Sequence, residues 1–422
     1  MTGLLRNFFL AIAAVFSLLL PPAATAQSGP AVEVFTTQQG SADSGGPDGA
    51  ADQSVPLWRL PVRVSVSVNA GYDENVSNTA IKEGSLFTSG SISLSYEFGT
   101  SRTRASLSTN AGVTYYPGNG GFQYEPNLNL ALTVAHQVNL RLSLNAAISV
   151  RYQAEPDFSS DLSLDRRAGN YFTSQDSLSA SYQWLPRFTT VTGYALGTVL
   201  YERNAVGFSQ NRFDHSFSQS FRFLYLPVTT LAASYGISFV NYEDRDRDSD
   251  TQTVTIGLDH TFSAKLRGTI NAGVDFRSTA NPGFQASDGF SPHVDASLSY
   301  LVGGKTSITW TANYGIEESY LVLASASQTF RTGLHATYAV TPRISATLGG
   351  NYQHNENSGP ELFPGISNSF TEDSLDVSFG LSYAINRYFS ANAGYSHTEV
   401  TSDLGLRSYS RNRYYGGLSV NF

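Results

Sequence analysis

From Val62 onward the chain alternates apolar and polar residues with a period of two. Val62, Val64, Val66, Val68, Ala70 and Tyr72 are set against Arg63, Ser65, Ser67, Asn69, Gly71 and Asp73. The alternation returns as far as the last residue, and is cleanest where Val138, Leu140, Leu142, Leu144, Ala146, Ile148 and Val150 face the opposite way from the residues between them. A period of two is a strand signal: one phase meets an apolar medium and the other a polar one. Turn residues divide the region into about 18 strands, beginning near residues 62, 85, 103, 122, 138, 170, 188, 210, 228, 251, 265, 289, 305, 326, 343, 370, 387 and 408. Short links such as Leu185-Pro186-Arg187 and Thr341-Pro342 take turns with longer polar ones at 75–83, 154–169, 243–250, 280–287, 357–368 and 401–407. Tight turns on one rim and long loops on the other predict an all-β, antiparallel, up-and-down transmembrane β-barrel over residues 58–422.

Repetition supports hairpin units. Asn-Ala-Gly recurs at Asn69, Asn110, Asn271 and Asn392 in odd-numbered strands, and Leu-Ser-Tyr ends at Tyr96, Tyr300 and Tyr383 in even-numbered ones. These tyrosines, placed before the short turns, are expected to form a periplasmic aromatic girdle. A propeller of four-stranded blades also repeats at this interval, but it needs shorter strands.

Ahead of the alternation lie two other segments. Arg6, the apolar run Phe8 to Leu20 and Ala24-Thr25-Ala26 predict a signal peptide over residues 1–26, too short in its apolar part to span a bilayer. Residues 27–57 are rich in Gly, Ala, Ser, Asp and Gln without a hydrophobic period, and are expected to be a disordered periplasmic lead. The chain has no cysteine, which excludes disulfides and thiol chemistry. Charged residues make up 14% of it, well below a usual soluble domain, and its net charge of −8 argues against nucleic acid as a partner.

The polar phase, if it faces a lumen, is rich in Ser, Thr, Asn, Gln and Gly. The candidate pore-lining charges on it are Arg63, Arg104, Arg141, Arg151, Arg212, Arg222, Arg267, Arg331, Arg411 and Arg413, with Asp259, Asp295 and Asp376. Arg277 and the acidic residues Asp73, Glu97, Glu125, Asp214, Asp275 and Glu317 share the same phase. A barrel of this size leaves an aqueous channel unless loops fold into it. Arg411 and Arg413 point the same way, and such a ladder either selects anions or braces the wall. The loop 154–169 could fold inward or stay solvated. The run Glu243 to Asp250 has oxygen ligands at close spacing, but its arginines oppose a metal, and the seven scattered histidines predict no zinc site. Neither a Gly-x-Ser-x-Gly nor a His-Glu-x-x-His motif occurs, so neither an enzyme nor a cofactor is expected.

The first strand ends Gly71-Tyr72-Asp73-Glu74-Asn75-Val76, and the chain closes on an alternating strand ending in Phe422. This opening resembles that of the β-barrel porins of the second type, outer-membrane proteins of which some are encoded beside exopolysaccharide systems. The resemblance implies a role in transport across a Gram-negative outer membrane. Phe422 is similar to the terminal signal read by the barrel-assembly machinery. The expected surroundings are outer-membrane lipid and lipopolysaccharide. The expected cargo is small hydrophilic solutes crossing by passive diffusion; exopolysaccharide export and a closed structural barrel are the alternatives. Oligomeric state is left open by the sequence.

Overall fold

The computed structural model describes residues 62–117, 124–153, 170–201, 211–243, 248–279, 289–318, 326–358, 369–403 and 407–422. The expected signal peptide and periplasmic lead lie outside these residues, as does the loop 154–169. The strands are β1 Val62–Asp73, β2 Ser85–Gly99, β3 Thr103–Tyr115, β4 Tyr124–Gln137, β5 Leu142–Gln153, β6 Tyr171–Leu185, β7 Phe188–Tyr201, β8 Arg212–Leu226 and β9 Thr229–Tyr242. They continue as β10 Ser249–Ser263, β11 Leu266–Thr279, β12 Gly289–Val302, β13 Thr306–Glu317, β14 Ala326–Thr341, β15 Ile344–Ser358, β16 Phe370–Ala384, β17 Phe389–Ser402 and β18 Tyr409–Asn421.

Every strand pairs antiparallel with its sequence neighbours, and β1 also pairs with β18, so the 18-stranded sheet closes on itself. Closure leaves no unpaired edge, the condition a strand structure must meet in a bilayer. At the seam Val64 and Phe422 exchange both backbone hydrogen bonds, at 3.2 and 2.8 Å. The glycine at 417 lets the seam close: a Cβ there would collide with the Val68 carbonyl and the Asn69 side chain.

Alternation now acquires two faces. Leu86, Ile92, Leu178, Phe217, Ile256, Leu348 and Leu418 stand outward and exposed, and such an apolar exterior belongs in lipid. Tyr96, Tyr182, Tyr300, Tyr338 and Tyr383 share that outward phase beside the tight turns, where Trp184 meets Tyr182 edge to face at 4.7 Å. Inward stand the Ser, Thr, Asn and Gly positions.

Five of the tight turns share one chemistry. Thr100, Asn139, Ser263, Thr341 and Asn386 each accept hydrogen bonds from the backbone N–H groups two and three residues on. The β12–β13 turn instead uses Gly303 and Gly304, with φ of 62° and 77°. This chemistry corrects one strand start. Alternation reads unbroken from Val138, but the Asn139 side chain holds the N–H groups of Arg141 and Leu142 at 2.8 and 3.0 Å, and β5 begins only at Leu142. Side-chain capping outweighs β propensity there.

The lumen and its extracellular mouth

Cross-strand registers place Arg63, Arg104, Arg151, Arg212, Arg222, Arg267, Arg331, Arg411, Arg413, Asp259, Asp295 and Asp376 on the inward phase. Arg141 does not join them. It belongs to the β4–β5 turn, at the rim rather than on the wall.

Most of these charges are paired, and the pairs gather at the end that carries the long connections. Asp73, at 0% exposure, is the centre of one cluster. The Arg411 Nε donates to its two oxygens at 3.0 and 3.1 Å, and a second Arg411 nitrogen also bonds to it. The Tyr116 hydroxyl donates at 3.2 Å, the Asn75 N–H at 3.1 Å, and the Arg413 Nε lies 4.0 Å away. The Arg413 guanidinium sits 4.4 Å over the Phe87 ring, which packs with Val76 and Tyr116. Within the motif Gly71 to Val76, the buried Asp73, Asn75 and Val76 therefore form an anchor that ties the first connection into the mouth. Just outside it, the Asn412 amide hydrogen-bonds Glu74 and holds that carboxyl below its usual range.

A second cluster spans β8 to β13. Arg212 bonds Asp214 at 3.2 Å and reaches Tyr242. Glu318, just past β13, is buried and receives Arg277 at 2.5 Å, Ser249 at 2.6 Å and Tyr242 at 3.1 Å. Burial alone would raise the Glu318 carboxyl; the Arg277 guanidinium and the Ser249 hydroxyl override it and hold it below the ordinary glutamate range. Glu318 can reach this far because β11 and β13 approach each other across β12, where Ser291 is small and fully buried. His293 bridges Asp275 at 3.0 Å and Asp295 at 2.9 Å. Arg331 forks onto Glu317 at 3.0 and 2.5 Å, and Arg407 bonds Glu372 at 2.9 Å. Deeper toward the tight turns, Arg222 pairs with Asp259, and Asp376 accepts from Thr398 at 2.8 Å.

Sequence reasoning missed His293, Glu318 and the Arg407–Glu372 pair. His293 and Asp295 are two apart and so share a face, but the third member, Asp275, comes from the facing strand, and only the β11–β12 register brings it there. Glu318 lies past the end of its strand, where alternation says nothing.

One feature of the mouth is apolar. Tyr171 and Val199, with Tyr201 against them, belong to the same buried cluster as Phe370, Val400 and Tyr409. Their strands β7 and β16 are nine apart in a ring of 18, so side chains from opposite walls meet at this level. Toward the tight turns the lumen opens. Inward residues such as Ser108, Asn129, Gln175, Ser177, Thr309, Thr311 and His335 are exposed there. Among the described residues no group of three or more His, Asp or Glu could hold a metal ion.

A closed, lipid-fitted barrel with a polar interior defines a porin-like outer-membrane protein. The family model described as "Putative beta-barrel porin 2" matches residues 61–422, and the chain belongs to that family. Among solved structures, the siderophore receptor PirA from Pseudomonas aeruginosa is similar at 10% identity over 86% of this chain and 80% of its own, with a TM-score of 0.42. Acinetobacter baumannii OccAB4 is similar at 11% identity, covering 86% of this chain and 98% of its own, with a TM-score of 0.42. Pseudomonas aeruginosa OpdK, solved with vanillate, is similar at 10% identity over 86% of this chain and 99% of its own, with a TM-score of 0.43. Comparison with curated protein sequences finds no significant match.

Proposed function

We propose that this barrel conducts small hydrophilic solutes passively across the outer membrane, and that its extracellular mouth sets the rate and size limit. The observation that carries this reading is the gradient along the inward phase. Hydroxyl and amide side chains stand exposed through the body of the lumen, while paired charges and the apolar bridge fill the mouth. A hydroxyl-lined wall exchanges hydrogen bonds with a hydrated solute at small cost. Paired charges at the mouth offer little net field, so weak ion selectivity is expected in place of the strong anion preference that a ladder of unpaired arginines would impose. Planar-bilayer recording of the purified protein tests the reading. Small, weakly selective conductance is the expected result, and its complete absence across ions and small sugars would leave the closed structural barrel as the account.

Export and assembly belong to the same proposal. Residues 1–26 would direct the chain out of the cytoplasm, and Phe422 would serve the assembly machinery while also completing the seam with Val64. Deleting Phe422 should lower the yield of folded barrel and leave export intact; unchanged yield would remove it as a recognition signal.

A further inference from the structure

We infer that the tight-turn rim of the barrel carries a cationic collar that binds the head groups of anionic phospholipids in the periplasmic leaflet. This goes beyond solute passage and does not depend on it.

Eight tight turns join the strands at this end, from β2–β3 to β16–β17. Seven of them place a basic residue just before the strand that climbs away. Arg102, Arg141, Arg187, Arg343 and Arg387 precede β3, β5, β7, β15 and β17, and Lys265 and Lys305 precede β11 and β13. The β8–β9 turn, Pro227-Val228, is the exception. No Asp or Glu occurs in any of the eight, although the chain holds 34 of them against 26 Lys and Arg. The turns themselves do not need these side chains. Arg102, Arg141, Lys265 and Arg343 serve the caps through their backbone N–H groups, which any residue but proline could supply. All seven residues are exposed, and among the described residues none of the seven is ion-paired.

Position selects lipid as the partner. Leu140 is 91% exposed beside Arg141, Leu185 stands exposed two residues before Arg187, and Val340 and Ile385 are exposed just ahead of Arg343 and Arg387. Bare apolar tips of this kind do not belong in the aqueous periplasm. Together with the tyrosines beside the same turns, they set the rim in the membrane interface, at the level of the lipid phosphates. A Lys or Arg there reaches a phosphodiester with its head while its stem lies along apolar surface. The opposite boundary bears the opposite sign. Asp250, Glu356, Asp373 and Glu399 lie on the outward phase near the long connections, and no Lys or Arg of the described strands faces outward. Solubility alone would intersperse both signs at both ends. A ring of one sign at one interface is what attraction to an anionic leaflet requires.

The refolded full chain in phosphatidylcholine vesicles carrying spin-labelled lipid provides the test. Spin-labelled phosphatidylglycerol should be immobilised at the barrel several-fold more than spin-labelled phosphatidylcholine, and high salt should bring the two toward parity by screening. Arg102→Gln, Arg141→Gln, Arg187→Gln, Lys265→Gln, Lys305→Gln, Arg343→Gln and Arg387→Gln combined should remove most of the preference while heat-modifiable migration shows an intact barrel. Should that variant not fold, Arg141→Gln/Arg187→Gln/Lys305→Gln should remove a measurable part. Equal immobilisation of the two lipids by the wild type would overturn the proposal, and retention of the wild type on isolated peptidoglycan in that case would assign the collar to the cell wall. Full lipid preference in a folded variant would also overturn it, and a loss of anion selectivity by that variant in planar bilayers would make the collar a guide for solutes instead.

Discussion

The two ends of the same lumen are built from one alternating pattern and behave differently. In the body, inward Ser, Thr and Asn stand exposed, as at Ser177 and Thr311. At the mouth, Asp73, Glu318 and Glu372 are buried against arginines, and apolar and aromatic residues of facing walls share one buried cluster. Burying charges costs desolvation that their mutual attraction returns only when geometry and further hydrogen bonds are good. A barrel does not need such pairs to close, since backbone ladders do that. Their concentration at one end argues that the mouth is held to a shape.

The largest break in this contrast should come from Asp73→Ala. It leaves Arg411 buried beside Arg413 without its carboxylate, at a cost of about 3 to 5 kcal/mol. Urea unfolding of the refolded barrel reads the loss. Tyr409→Ala comes next. It removes one of the aromatic members of the apolar bridge, which should cost about 2 to 4 kcal/mol and raise conductance. If conductance stays at the wild-type level, the bridge is not the narrow point.

Acid should sharpen the contrast from another side. The folded carboxyl of Glu318 lies below the ordinary glutamate value of 4.5, so its contribution to stability is complete above that value and is lost as pH falls through the folded value. Unfolding should therefore quicken below about pH 4.5, and part of that dependence should vanish in Glu318→Gln. An identical pH profile for the two proteins would show that Glu318 is not a source of the mouth's order. The smallest effect belongs to the body. Ser177→Ala should stay within about 0.5 kcal/mol of wild type and conduct normally.

Much of the fold was legible because alternation is local. One residue of phase decides whether a side chain meets lipid or water, and 18 stretches of it were visible in the chain. The start of β5 was not, since Asn139 looks like any inward polar residue until its side chain is seen capping the turn. The inward charges were legible as a set, apart from Arg141 in that same turn. Their partners were not: Asp73 and Arg411 are 338 residues apart in the chain and meet only because the seam closes in one register. His293 between Asp275 and Asp295 needed the β11–β12 register in the same way.

Single-channel conductance of the wild type beside a Tyr171→Ala/Tyr409→Ala variant tests most directly whether the mouth limits passage. Small wild-type steps that grow several-fold in the variant, with the barrel still heat-modifiable, are the expected result. Equal steps in the two proteins, or silence in both, would contradict it.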